Sequence, residues 1–381
     1  MFCFSRRLLV GLLLCLASTG CNRSQNSGKT LVVGGVLSKT GGAAAYGGDA
    51  DKGAALAAEH ITANGGPIRI EYVSLDDKSD KTEAVKVART LVEANKVQVI
   101  LGPAISPSAL SVGKFAEERE IPVVATSATQ DEVTASDQYD RTYVARVCFN
   151  DSYQGAVLAK FATSSLKKKT AAVIYDKTLS YSIGLSKTFR DEFTRLGGTV
   201  RHEENYSIKD SDYSALIDKV ATFDVDLLFI PGWDENVGPM LKQAGKKWDR
   251  FILLGGDGWP TPRLLELAAG NIKDAYAVSH YAPEDPDPRV RDFQKAYREK
   301  YGQEPSPFAA LGYDAMMLIW DAAKRAKSFS GPDLRDAING SKDVSLVTGT
   351  LTFDKHRNPS KEAVIVRIFP DRIAFQERVR P

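Results

Sequence analysis

The sequence predicts an α/β protein of two domains, each built on a parallel sheet. Three observations carry this. The chain has 381 residues, enough for two domains of ordinary size. Short β-branched runs alternate with helical stretches along two successive series, the pattern of strand–helix–strand crossovers. The C-terminus then changes character: TGTLTFD (348–354), AVIVRIF (363–369) and RIAFQ (372–376) read as strands with no helix between them, the last two as a hairpin turning at Pro370-Asp371. Hydrophobic content of 43% and charged content of 26% are those of a soluble globular chain.

The N-terminus reads as a targeting signal over residues 1–20. Arg6-Arg7 precede the apolar run LLVGLLLCLA (8–17), which is too short to span a bilayer as a helix. Ser18-Thr19-Gly20-Cys21 follows, then the small polar stretch NRSQNSGK (22–29), which suits a flexible tether. Gly28-Lys29-Thr30 mimics the end of a P-loop, but it precedes its strand and position 23 is Arg rather than Gly. Formal charge is +2 and falls to zero without Arg6 and Arg7, so no basic stripe supports nucleic-acid binding. Beyond Cys21 only Cys148 remains, which excludes an intrachain disulfide and a thiolate metal cluster; the four histidines lack metal-ligand spacing, and no cofactor is expected.

The first series opens with strand TLVVGGVLS (30–38) and a Gly- and Ala-rich loop, GGAAAYGGD (41–49), whose one large side chain is Tyr46. Its glycines miss the dinucleotide spacing. A helix to about Ala63, strand IRIEYVSL (68–75), the turn Asp76-Asp77 and a helix from Thr82 to Asn95 follow. The Asp pair reads as a solvated turn, with metal binding as the rival. Strand VQVIL (97–101), a helix from Pro107 with Ser106 as N-cap, and strand IPVVA (121–125) form one crossover unit. Its two hydroxyl-bearing turns fall at the C-terminal sheet edge, where open α/β sheets bind ligands, and helix N–H groups beside Ser106 and Thr129 suit a carboxylate.

The chain then passes through YVARVCFND (143–151), and a helix begins near Tyr153. The second series runs through TAAVIYD (170–176), a loop with Tyr181, a helix to Leu196, strand 200–206, helix 213–223 and strand DLLFIP (226–231). The turn Gly232-Trp233-Asp234, a helix near 237–244, strand FILLG (251–255) and the turn Gly256-Asp257-Gly258-Trp259 complete it. Strand AYAVSHYAP (275–283) and helices over 289–301 and 308–326 lead to the C-terminal strands.

These features, in this order, resemble the substrate-binding proteins of bacterial ABC transporters for branched-chain amino acids, with the periplasmic-binding-protein type I fold. The marks are VVGGVLSKTGGAAAYGGDADKGAALAAEHITANGG, the Asp-Asp turn, VILGPAISPSALSV, IPVVATSATQDEVT and LTFDKHRNP, spread from about Leu31 to Phe375. The resemblance implies two Rossmann-like lobes with parallel central sheets joined by three hinge crossings, near 147–149, 278–281 and 349–352. Lobe 1 would be 30–147 plus 280–350, and lobe 2 would be 148–279 plus 351–381. It implies hinge closure on a small amino acid, delivery to permease subunits, and a monomer. It places the ligand's carboxylate on Ala104-Ile105-Ser106 and Ser127-Ala128-Thr129, its walls on Tyr46, Tyr181 and Trp233, and its ammonium on Asp257. The family more often has Glu and Tyr where this chain has Asp257 and Trp233, which leaves an amide, a urea-like compound or an aromatic acid as alternative ligands. The signal resembles that of a lipoprotein, with Cys21 lipidated and the protein held outside the cytoplasm by its lipid; Ser18 departs from the usual Leu, and ordinary cleavage is the rival. An enzyme is the weaker reading: Ser111-Val112-Gly113-Lys114 fits SxxK but lies mid-helix with no SDN or KTG partner. A sensory ligand-binding component is the other alternative.

Overall fold

The computed structural model describes residues 28–380. The signal and Cys21 lie outside them. The chain begins with β1 (Lys29–Leu37), α1 (Ala44–Ala63), β2 (Ile68–Asp76), α2 (Lys81–Glu93), β3 (Val99–Leu101), α3 (Ser106–Arg119) and β4 (Val123–Ala125). A small hairpin, β5 (Ala135–Ser136) with β6 (Tyr139–Asp140), precedes β7 (Val144–Arg146). Strands β2-β1-β3-β4-β7 form a five-stranded sheet, parallel throughout.

The chain then enters the second lobe: α4 (Asp151–Lys160), β8 (Thr170–Asp176), α5 (Ser180–Arg195), β9 (Thr199–Tyr206), α6 (Ser214–Val220), β10 (Leu227–Phe229), α7 (Asp234–Ala244), β11 (Ile252–Gly255), α8 (Pro262–Ala268) and β12 (Ala275–Ser279). It returns to the first lobe for α9 (Pro288–Tyr301), α10 (Pro307–Arg325), α11 (Gly331–Asn339) and the ribbon β13 (Val344–Leu346) with β14 (Gly349–Leu351). It finishes in the second lobe with β15 (Ala363–Ile368) and β16 (Ile373–Val379). The second sheet runs β16-β15-β12-β11-β10-β8-β9. Strands β9 to β12 and β8 pair in parallel, and the C-terminal hairpin adds two antiparallel strands at the edge. The fold is the two-lobed α/β architecture that the resemblance implied, with the chain passing between the lobes after β7, after β12 and after β14.

Three local expectations are corrected. The Gly- and Ala-rich stretch around Tyr46 is not a loop but the start of α1. Packing against α10 holds it helical despite Gly47 and Gly48, which alone disfavour a helix. Ser106 is not the N-cap of α3; Ile105 occupies that place, and the Ser106 hydroxyl turns away to accept the Gln130 N–H at 3.2 Å. The Asp76-Asp77 turn is not simply solvated: Asp77 is fully buried, and both carboxylates tie the turn to the segment after β1. Asp76 Oδ1 accepts the Lys39 and Lys78 N–H groups at 2.8 Å, and Asp77 Oδ1 accepts the Ser38 hydroxyl at 2.6 Å.

Helices α1 and α10 meet backbone to backbone. A Cβ on Gly53 would lie 1.9 Å from the Ala309 carbonyl oxygen, and one on Gly312 would lie 2.0 Å from that of Ala50. The reciprocal glycines seat each helix in the other, and this contact carries Tyr46 and Phe308 to within 4.5 Å ring to ring.

Candidate functional site

The C-terminal edges of both sheets face one cleft. Within it lies a small cavity lined from both lobes. The first lobe lines it with Tyr46 from α1, Ala104, Ile105 and Ser106 after β3, Ser127 after β4, and Phe308 from α10. The second lobe adds Tyr181 from α5, Trp233 after β10, and Asp257 and Gly258 after β11. Eight of the ten residues singled out from the sequence meet here. Ala128 and Thr129 are fully buried and do not reach the wall. The Ala128 carbonyl accepts from Arg146 Nη1 at 2.9 Å, and the Thr129 carbonyl accepts the Asp151 N–H at 2.8 Å.

The two serines are set in opposite senses. Ser106 Oγ accepts from Gln130, which leaves its own proton to donate. Ser127 Oγ spends its proton on the Ala104 carbonyl at 2.7 Å, which leaves lone pairs to accept. Ser106 also opens α3, whose first N–H groups have no intrahelical acceptor and whose dipole favours negative charge. The Ser106 end of the cavity therefore offers donors. The second lobe brings the buried carboxylate of Asp257 to the cavity as an acceptor. Its Oδ2 lies 2.9 Å from His280 Nε2, and its N–H donates to Gln154 Oε1 at 3.2 Å. Among the described residues no lysine or arginine lines the cavity.

The rest of the wall is aromatic and aliphatic. Trp233 meets Tyr46 edge to face at 6.1 Å. Glycine at 256 lets Tyr181 in, since a Cβ there would lie 2.2 Å from the Tyr181 hydroxyl oxygen. Burial, with the Asp257 charge behind it, pushes the Tyr181 phenol well above its ordinary pKa, so it stays a neutral donor.

Tyr46 also bridges the lobes. Its hydroxyl lies 3.0 Å from both Asp234 Oδ1 and the Gly258 carbonyl, and it accepts the Asp234 N–H at 2.9 Å. Asp234 Oδ2 accepts the Thr261 hydroxyl at 2.6 Å. Burial raises the Asp234 carboxyl to about 6, against the pull of its bonds from Thr261 and Tyr46. The folded protein thus takes up a proton between about pH 4 and pH 6 that the unfolded chain does not hold. The group disfavours folding in full above that window, and the penalty fades as pH falls through it. Asp234→Asn keeps an acceptor for Tyr46 and turns the Thr261 bond around. It should raise stability at pH 8 by up to about 3 kcal/mol, with the gain gone near pH 4; calorimetric melting at both pH values measures it.

Sequence reasoning missed Phe308, Asp234, His280 and Asp151. Phe308 was legible only as the first residue of the helix expected over 308–326. Asp234 sits beside Trp233, but its link to Tyr46 spans the lobes. Asp151 is fully buried, with Oδ2 unpartnered among the described residues, and burial and the Asp131 charge push its carboxyl well above the ordinary range.

Residues 30–372 match the family described as periplasmic binding protein. An amino acid binding protein of Pseudomonas aeruginosa is 27% identical over 355 residues, covering 91% of each chain. Leu/Ile/Val-binding protein homolog 1 of Brucella abortus is 26% identical, covering 86% of this chain and 87% of its own. Among solved structures, LivJ of Streptococcus pneumoniae in complex with isoleucine superposes with a TM-score of 0.86 at 31% identity, over 92% of this chain and all of that one. A solute-binding protein of R. palustris in complex with benzoate shares the fold at 21% identity and TM-score 0.81, over 92% of this chain and 97% of its own. The chain belongs to the periplasmic binding protein family, in the type I group of the Leu/Ile/Val-binding proteins.

Proposed function

We propose that this protein captures a small aliphatic α-amino acid in the cleft by hinge closure and delivers it to the permease of an ABC transporter. The observation that carries the reading is the polarity of the cavity. A buried carboxylate and a serine donor at a helix N-terminus share one cavity, with no lysine or arginine on its wall among the described residues. A zwitterion satisfies both groups at once. A simple carboxylic acid would satisfy the donors and leave Asp257 beside a second anion or an apolar group, which is costly in a buried site. In the assignment we propose, the carboxylate goes to Ser106 and the α3 N-terminus. The ammonium goes to Asp257, and the side chain lies among Ile105, Tyr46, Trp233 and Phe308. The acceptor and the donor come from different lobes, so the ligand is fully held only when the cleft shuts, which couples binding to closure.

The leader supports export, and Cys21 after the apolar run supports a lipid tether, with membrane contact through that lipid alone. The family and the relatives named above are binding proteins, and the same reading takes this chain as a carrier rather than an enzyme.

A thermal-shift screen of the processed protein tests the ligand. L-leucine, L-isoleucine and L-valine should raise Tm, since a ligand at 100 times its Kd stabilises by about 2.7 kcal/mol. Benzoate, acetamide and urea should not. A shift with benzoate or an amide alone would keep the binding protein and overturn the ligand class. A shift with none would move weight to a sensory role or another ligand.

A further inference from the structure

His280 follows β12, on the second segment that passes between the lobes. Its side chain is fully enclosed. Nε2 lies 2.9 Å from Asp257 Oδ2, and Nδ1 has no partner among the described residues. The ring stacks on Phe149 with centroids 3.8 Å apart and planes at 29°. Phe149 belongs to the first passing segment and stacks in turn on Tyr153 at 5.6 Å. One imidazole therefore ties the acid of the cavity to two of the segments that join the lobes.

These contacts decide the tautomer. A buried N–H with nothing to receive it costs more than a buried lone pair left alone. The proton of a neutral His280 thus sits on Nε2 and is donated to Asp257, and Nδ1 keeps the bare lone pair. Burial pushes His280 below its ordinary pKa. Asp257 opposes this, and the Lys361 ammonium, on the segment before β15, adds to it. Burial pushes the Cys148 thiol, beside Phe149, up to about 12, so it stays neutral. Burial is also the main cause that raises the pKa of Asp151 and Tyr181, which feel the Asp257 charge, and of Tyr153, which stacks on Phe149.

We propose that His280 is a positioning residue for ligand capture: as a neutral Nε2–H imidazole it holds Asp257 by Oδ2, fixing the carboxylate in the orientation that receives the ligand's ammonium. This rests on the amino-acid reading above. A protonated His280 would place a cation against the same carboxylate and compete with the ammonium, so the neutral form is the binding form.

Two measurements test it. Nitrogen-15 NMR of the ligand-free protein should find His280 as the Nε2–H tautomer and still neutral at pH 6.5. Titration with L-leucine at pH 7.5 should find His280→Leu weaker by about tenfold or more. His280→Gln, whose amide can donate without titrating, should recover most of that loss and remove the imidazolium's share of the weakening at acid pH. An Nδ1–H tautomer, or His280→Leu binding L-leucine as the wild type does, overturns the assignment. Should His280→Leu fail to fold, the NMR result and the glutamine variant decide alone. If the wild type binds no amino acid while the Nε2–H signal is present, the proposed function fails and the ammonium role falls with it. The failure of His280 as a positioning residue looks different: leucine binds, and both variants bind it equally well.

Discussion

Asp257→Asn is expected to weaken L-leucine binding by a factor of 100 or more, measured by calorimetric titration at pH 7.5. The carboxylate is about 3% exposed, and among the described residues its side chain has no lysine or arginine beside it in the cavity. An ammonium brought there is paired at low dielectric. Removing one partner of a buried, hydrogen-bonded charge pair costs about 2–5 kcal/mol, which is roughly 30- to several-thousand-fold in affinity. The amide oxygen can still accept from His280 Nε2, so the fold should hold and Tm in the absence of ligand should change little. Charge is separated from shape by 4-methylpentanoate, which is leucine without its amino group. The wild type should reject it strongly, and the variant should discriminate far less. Leucine binding by Asp257→Asn within threefold of wild type would overturn the ammonium role.

Gly312→Ala should cost about 3 kcal/mol or more and lower Tm by roughly 10 °C, an unusually large effect for one methyl group. The added carbon would lie 2.0 Å from the Ala50 carbonyl oxygen, and no rotamer change relieves a clash with backbone. Helices α1 and α10 must separate, and Tyr46 and Phe308 separate with them, so leucine affinity should fall as well. Gly48→Ala is the control. It lies in α1 with nothing within 4 Å of its added carbon, and it should be neutral or slightly stabilising. Equal Tm values for the two variants would refute the interlocked-helix account.

The fold was legible because its signals are local. Strand and helix periods alternate with turn residues between them, and the two sheets follow from that alternation. Of the eight expected residues that line one cavity, all but Tyr46 sit in turns at strand ends or in the first turn of the helix beyond, where position in the chain determines position at the sheet edge. What escaped depends on distant partners. Tyr46 sits in a run of alanine and glycine that reads as a loop, and it is helical because Gly53 and Gly312 let another helix support it. Ser106 has the composition of an N-cap, yet Gln130, 24 residues on, claims its oxygen. His280 looked like a lone histidine because its partner, Asp257, is 23 residues away across a strand turn. Short helices such as α8 and α11 carry too few periods to stand out from a loop.

The interlocked glycines also bear on how such a protein diversifies. They fix where two cavity walls stand by backbone contact alone, so the side chains at positions 46 and 308 are free of the task of holding their helices together. Trp233, at a strand end, is similarly independent of the sheet's own hydrogen bonds. Selection can therefore exchange an apolar wall such as Phe308 without first rebuilding the contact between its helix and α1. That separation of lining from frame is a route by which one architecture comes to serve ligands as unlike as the isoleucine and the benzoate seated in its solved relatives.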